Sequence, residues 1–184
     1  MKRVFALIAN GSEETECLVV VDLLKRAGID VPLVSIHEEK EIVSSHNIKI
    51  IADNCIKDVI FSDYDGIFIP GGMPGSEYIS SNKVVINALK TADEENKIIA
   101  AICAAPGVVL GRHGLLKGRK ATCYPGFEKE LVNDTYVDVG VIKDGNIITS
   151  RGLGYALDLG LEIIKTLLGE EEAKRIKKQI QYDK

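Results

Sequence analysis

The stretch Lys97-Ile-Ile-Ala-Ala-Ile-Cys-Ala-Ala-Pro-Gly107 decides the fold. An unbroken apolar run stops at a thiol, Cys103, and small residues, Pro106 and a second apolar stretch follow at once. Such a run reads as a strand buried on both faces of a parallel sheet that turns abruptly into a helix. A sharp strand-to-helix turn pushes its side chain out at the sheet edge, as in the serine elbow of hydrolases. A helix N-terminus beside the sulfur favours thiolate over thiol. The same residues equally describe a small core cysteine, since free Cys is among the most buried residue types.

Outward from this stretch, short apolar runs alternate with helical patterns. Strands are expected at residues 4–9, 31–36, 48–51, 66–69 and 98–102. Helices are expected at 14–27, stopped by Gly28, then at 84–94 and 105–111. A short strand at 120–122 and strand-like runs at 136–139 and 141–143 lead to the hairpin signal Asp144-Gly145 and to residues 147–149. A long helix over 153–168 ends at Gly169, where a C-cap glycine belongs, and a charged helix over 171–181 follows. Strands alternating with helices predict an α/β fold: a doubly wound, mostly parallel sheet with helices on both faces. With no linker or repeat visible, residues 1–184 are expected to form a single domain.

Composition narrows the function. The 184 residues suit one sizeable core, and 46% apolar with 27% charged residues are ordinary globular values. A formal charge of −4 without a basic tract argues against nucleic-acid partners, and aromatics at 5% leave no base-stacking platform. No apolar stretch reaches membrane-spanning length, and Met1-Lys-Arg leads straight into a strand, so the chain is expected to be cytoplasmic with no membrane partner. Cys17, Cys55, Cys103 and Cys123 form no C-x-x-C pair, and His37, His46 and His113 are scattered, so neither a metal site nor a disulfide framework is expected.

Ligands of such sheets bind beyond the carboxyl ends of the strands. Three loops at those ends are chemically equipped: Asn10-Gly-Ser-Glu-Glu-Thr-Glu16, Pro70-Gly-Gly-Met-Pro-Gly75 and Cys103-Ala-Ala-Pro106. Gly71 and Gly72 either form a plain turn or turn free N–H groups into a site, where with Ala104 they would hold an oxyanion beside the sulfur. Glu13, Glu14 and Glu16 fit helix capping with Ser12 as N-cap. Glu16, followed by an apolar run, also fits a partly buried carboxyl of raised pKa that hydrogen-bonds the sulfur or shuttles protons. Arg151 reads as a surface ion pair, a dimer contact or an anion ligand. His113 reads as a solvated loop histidine or half of a Cys–His dyad, and Cys123 as a core thiol or a resolving partner.

These residues carry a family resemblance. Gly11-Ser-Glu-Glu-Thr-Glu16, Asp22-Leu-Leu-Lys-Arg-Ala-Gly28, Ile69-Pro-Gly-Gly72, Ala100-Ala-Ile-Cys-Ala-Ala-Pro106 and Thr149-Ser-Arg-Gly152, in this order, resemble the parkinsonism-associated deglycase family of the ThiJ/PfpI superfamily over nearly the full length. The resemblance implies a flavodoxin-like fold and a homodimer, and no cofactor is expected. It implies a reactive Cys103, a protonated Glu16 beside it, and backbone contacts from Gly72 and Ala104. Family members are described as glyoxalases or deglycases of methylglyoxal-type 2-oxoaldehydes, as sensors whose cysteine oxidises to sulfinate, and as chaperones. Two positions depart from the pattern. Tyr124 stands where close relatives often carry a histidine, and Ala104 stands where the protease branch carries one. Peptide hydrolysis therefore lacks its base. A small aldehyde substrate or an oxidant is the expected partner, met by Cys103 and Glu16 with Gly71, Gly72, Ala104, Tyr124 and Arg151 around them.

Overall fold

A computed structural model describes residues 1–131 and 135–183. Among them, β1 (Val4–Ile8), β2 (Leu33–Ser35), β3 (Glu41–Val43), β4 (Lys49–Ile51), β5 (Asn54–Cys55), β6 (Gly66–Ile69), β7 (Ile98–Ile102), β8 (Val141–Asp144) and β9 (Ile147–Ser150) alternate with α1 (Glu14–Arg26), α2 (Gly75–Ser81), α3 (Lys83–Glu94), α4 (Ala156–Leu168) and α5 (Glu170–Gln179). The seven-stranded sheet has the order β5-β2-β1-β6-β7-β9-β8. All its pairings are parallel except β8 with β9. The fold is thus the flavodoxin-like α/β arrangement expected.

Burial on both faces explains the continuous apolar strands. β1, β6 and β7 are buried at every position. Alternate residues feed two cores. On one face Leu7, Ile69 and Ile99 pack with Ile79 of α2 and Leu89 of α3; on the other Ile8, Phe68 and Ile102 pack with Leu24 of α1 and Leu159 of α4. Each such fully buried side chain contributes about 1.5–3 kcal/mol relative to exposure. α1 ends in a Schellman motif: Gly28 has φ +75°, its N–H donates to Lys25 O, and Ile29 N–H donates to Leu24 O.

Some expectations need correction. The strand expected at 31–36 shortens to β2. β3 was not expected; it pairs antiparallel with β4, outside the main sheet, and β5 and α2 were also unforeseen. Residues 120–122 and 136–139 form only an isolated bridge, Ala121 with Tyr136, because Thr122 commits its N–H to Thr149 Oγ1 and its hydroxyl to Val139 O. The helix expected from residue 105 is a wide π-type turn over Pro106–Gly111, with Arg112 N–H donating to Gly107 O five residues back. A single turn of 3₁₀ helix, Leu153–Tyr155, precedes α4.

Candidate active site

β7 delivers Cys103 to the carboxyl edge of the sheet. The residue has φ +65°, the left-handed region that non-glycine residues rarely adopt. Its backbone is clamped on both sides: its N–H donates to Ser150 O at 2.9 Å, and its carbonyl accepts Tyr124 N–H at 2.8 Å. Such strain persists where the surroundings over-determine it. The side chain is turned out of the strand line, packs partly on the α1/α4 core, and is neither core filler nor fully exposed.

Glu16, in the first turn of α1, is 2% exposed and shares a side-chain hydrogen bond with Cys103. Its Oε2 accepts Gly71 N–H at 3.1 Å, and Leu153 N–H also donates to the carboxyl. The N–H groups of Ala104 and Gly72 donate toward the sulfur. Both glycines are required. A Cβ on Gly71 would lie 2.4 Å from both Cys103 Cβ and Glu16 Oε2. Gly72 has φ +92°, and a Cβ there would lie 2.3 Å from Glu13 N.

Burial pushes the Glu16 carboxyl up to about 7, aided by the Glu13 charge and opposed by the hydrogen bonds from Cys103, Gly71 and Leu153. Burial also pushes the Cys103 thiol up to about 12; the charge and hydrogen bond of Glu16 add to it, while the Ala104 and Gly72 N–H groups oppose. This corrects the expected helix-favoured thiolate, because desolvation and an adjacent carboxylate outweigh the N–H groups. The two groups compete for one negative charge and titrate as a pair. With the proton on sulfur, S–H donates to the Glu16 carboxylate. With it on Glu16, the carboxyl donates to sulfur and the repulsion disappears.

The cap of α1 differs from expectation. Glu13, not Ser12, is the N-cap and accepts Glu16 N–H, while Ser12 Oγ accepts Ala9 N–H at 3.0 Å. The three histidines are engaged elsewhere. His37 Nε2 accepts Asn10 N–H, His46 Nδ1 lies 2.9 Å from Glu14 Oε1, and His113 Nε2 lies 3.0 Å from Ser80 Oγ. The Cys103–His113 dyad is therefore not formed. Glu13, Glu14 and His46 come within 4.8 Å of one another, but these carboxylates are committed to hydrogen bonds with Glu16, Ser45 and His46. Cys123 is buried in the core of the opposite sheet face from the one on which Cys103 packs, and its thiol is pushed up to about 12 by burial.

Around the pair, Tyr124 is 50% exposed, and its ring stands 3.3 Å from where a Cβ on Gly152 would lie, with Glu16 Oε1 3.9 Å from the same point. Arg151 donates through Nη1 to Asp138 Oδ1 at 2.6 Å, so of its three readings it forms the ion pair. A partly open pocket lined by Phe5, Tyr64 and Ile67 lies at the opposite, amino-terminal end of the strands and holds none of these groups. Among the described residues no helix is long and apolar enough to cross a membrane.

A flavodoxin-like sheet with a strand-tip cysteine bonded to a buried acid defines a class of cysteine-centred α/β proteins. The chain belongs to the DJ-1/PfpI family, whose model matches residues 2–166. It is 39% identical over 171 residues to Protein DJ-1 homolog B of Arabidopsis thaliana, covering 93% of this chain and 39% of that longer protein. It is 36% identical to Protein dj-1beta of Drosophila melanogaster, covering 96% of this chain and 95% of the relative. Among solved structures, oxidized DJ-1 of Toxoplasma gondii superposes with a TM-score of 0.96 at 37% identity and complete coverage of both chains.

Proposed function

We propose that this protein is a cysteine-dependent glyoxalase or deglycase acting on methylglyoxal-type 2-oxoaldehydes or their adducts. The observation that carries this reading is the hydrogen-bonded Cys103–Glu16 pair flanked by the Gly72 and Ala104 N–H groups. The sulfur adds to the aldehyde carbon, and the Glu16 proton passes to the resulting alkoxide, giving a hemithioacetal. The Glu16 carboxylate then removes the proton from that carbon to give an enediolate, the hydroxyl proton passes to the neighbouring oxygen, and Glu16 returns its proton to the neighbouring carbon, which leaves an S-acyl Cys103. Water hydrolyses this thioester to the 2-hydroxy acid and frees the thiol. The Gly72 and Ala104 N–H groups steady the developing oxyanion. Tyr124 and Gly152 stand beside Glu16, and Gly71 lies against both members of the pair; Arg151, held by Asp138, completes the proposed pocket. The reading includes a homodimer in the cytoplasm and calls for no cofactor.

The test is lactate release from methylglyoxal by purified protein. Cys103→Ser and Glu16→Ala are each expected to abolish it; turnover that survives Cys103→Ser refutes the reading. A second reading is favoured by the likeness to an oxidized DJ-1 structure: Cys103 is a redox sensor that peroxide takes through sulfenate to sulfinate, each step reducing one peroxide to water. Glu16, protonated, then donates to a sulfinate oxygen. Mass spectrometry after mild peroxide treatment is expected to find two added oxygens on Cys103 first; earlier oxidation of Cys17, Cys55 or Cys123 removes the basis of this second reading.

A further inference from the structure

Glu13 closes a ring of hydrogen bonds under the reactive pair. Glu13 N–H donates to Gly71 O at 2.9 Å, Gly71 N–H donates to Glu16 Oε2 at 3.1 Å, and Glu16 N–H donates back to Glu13 Oε2. The Glu13 side chain is only 14% exposed, so its charge acts on Glu16 through protein rather than through bulk water. We propose that Glu13 is a positioning residue for the pair: its carboxylate anchors Glu16 at the helix start and biases the pair's single negative charge from Glu16 toward the Cys103 sulfur.

The bias follows from where the charges stand. Glu13 ranks second only to burial in opposing ionisation of Glu16, whereas the main influences on Cys103 are burial, Glu16, Ala104 and Gly72. Repulsion from Glu13 therefore falls chiefly on one member of the pair. It disfavours the carboxylate–thiol arrangement and favours the carboxyl–thiolate one. The other groups around it are few. Cys17, next along α1, is a thiol pushed up to about 12 by burial. From the hairpin loop, His46 Nδ1 lies 3.8 Å from Glu13 Oε1 and 2.9 Å from Glu14 Oε1. Tyr124 stands across Gly152 from Glu16. Glu14 turns to Ser45 and His46 and away from the pair.

The inference rests on the same Cys103–Glu16 pairing as the proposed function, so its test uses no substrate. The rate of Cys103 alkylation by iodoacetamide is followed from pH 5 to 9, on chosen assay points, by mass spectrometry of the full chain. Glu13→Gln keeps an oxygen for Glu16 N–H but loses the charge. It is expected to alkylate about threefold to tenfold more slowly at pH 7. Glu13→Asp and Glu13→Asn both retain an N-cap, and only the neutral Asn is expected to slow the reaction; this pair decides the matter should Gln fail to fold. Glu14→Gln is expected to leave the profile unmoved, and His46→Gln to keep its shape. Wild-type profiles in both Glu13→Gln and Glu13→Asn overturn the proposal, as does an equal effect of Glu14→Gln or loss of the acid limb in His46→Gln. Loss of methylglyoxal turnover with an intact alkylation profile would instead count against the proposed function alone.

Discussion

Gly71 shows how tightly the site is built, because its missing side chain is the space that the pair occupies. Gly71→Ala would set a methyl 2.4 Å from Glu16 Oε2 and 3.1 Å from the sulfur. The expected result is a fall in methylglyoxal turnover of about 100-fold, the cost of a displacement near 1 Å at reacting groups, with the far-UV circular dichroism unchanged. Turnover within a few-fold of wild type would show that the site tolerates the displacement. Glu16 makes a second prediction, in stability. Folded, it holds its proton to about 7, against an ordinary value of 4.5. Between these limits the folded state binds more protons than the unfolded, so stability falls as pH rises through the window and the full cost is present above it. That cost is about 3 kcal/mol. Glu16→Gln is therefore expected to gain stability relative to wild type on going from pH 4.5 to pH 8, measured by urea unfolding; a pH-independent difference would refute the burial argument. Glu16 could be read from the sequence as a partly buried carboxyl beside the sulfur, but the upward push on the Cys103 thiol could not. Ser12 is the better N-cap by type, and only the fold shows its hydroxyl spent on Ala9 and the cap passed to Glu13.

At the scale of elements, α4 crosses α1 closely because Gly160 has no side chain. A Cβ there would lie 2.6 Å from Leu23 Cδ1, inside a fully packed core. Alanine ordinarily gains about 1 kcal/mol over glycine in a helix, but overpacking costs about 1–3 kcal/mol. Gly160→Ala is expected to destabilise the protein by about 1–2 kcal/mol in urea unfolding, and a stabilised variant would mean the two helices can separate at no cost. The long elements of this kind could be read from the sequence, α1, α3 and β7 within one residue and α4 within three at its start, since they carry strong periodicity or unbroken apolar runs with Gly28 and Gly169 as stops. The elements missed are those without such signals. β3 carries the alternation of only three residues, β5 has two residues, and α2 begins inside a glycine–proline loop that reads as a turn. The strand expected near residue 121 failed for the opposite reason: Thr122 has the composition of a strand but gives its hydrogen bonds to side chains and to a loop carbonyl.

Across the whole molecule, protection should follow strand order. β1, β6 and β7 each lie between two parallel neighbours and are covered by helices on both faces, so their amides open only when both cores do. β3 and β4 stand apart as a two-stranded ribbon, with Ile51 73% exposed and Glu41 and Lys49 also at the surface. A two-stranded ribbon is marginal by itself, and its amides open locally. The ribbon is nonetheless bound to the site: Gly11 N–H donates to Val43 O, Asn10 Oδ1 accepts Val43 N–H, and Ser45 N–H donates to Ser12 O. Those three bonds connect the most weakly held strands to the loop that begins α1 and carries Glu13. Hydrogen exchange read by mass spectrometry is expected to show peptides from β6 and β7 exchanging slowest, with β4 faster by about 100-fold or more. Val43 and Ser45 are expected to be slower than the outer residues of the ribbon, since their N–H groups are bonded to the first loop. If β4 exchanged as slowly as β7, the ribbon would belong to the cooperative core. Loop and ribbon could then not move without global unfolding, and substrate would have to reach Cys103 through a rigid entrance bounded by Tyr124 and Gly152.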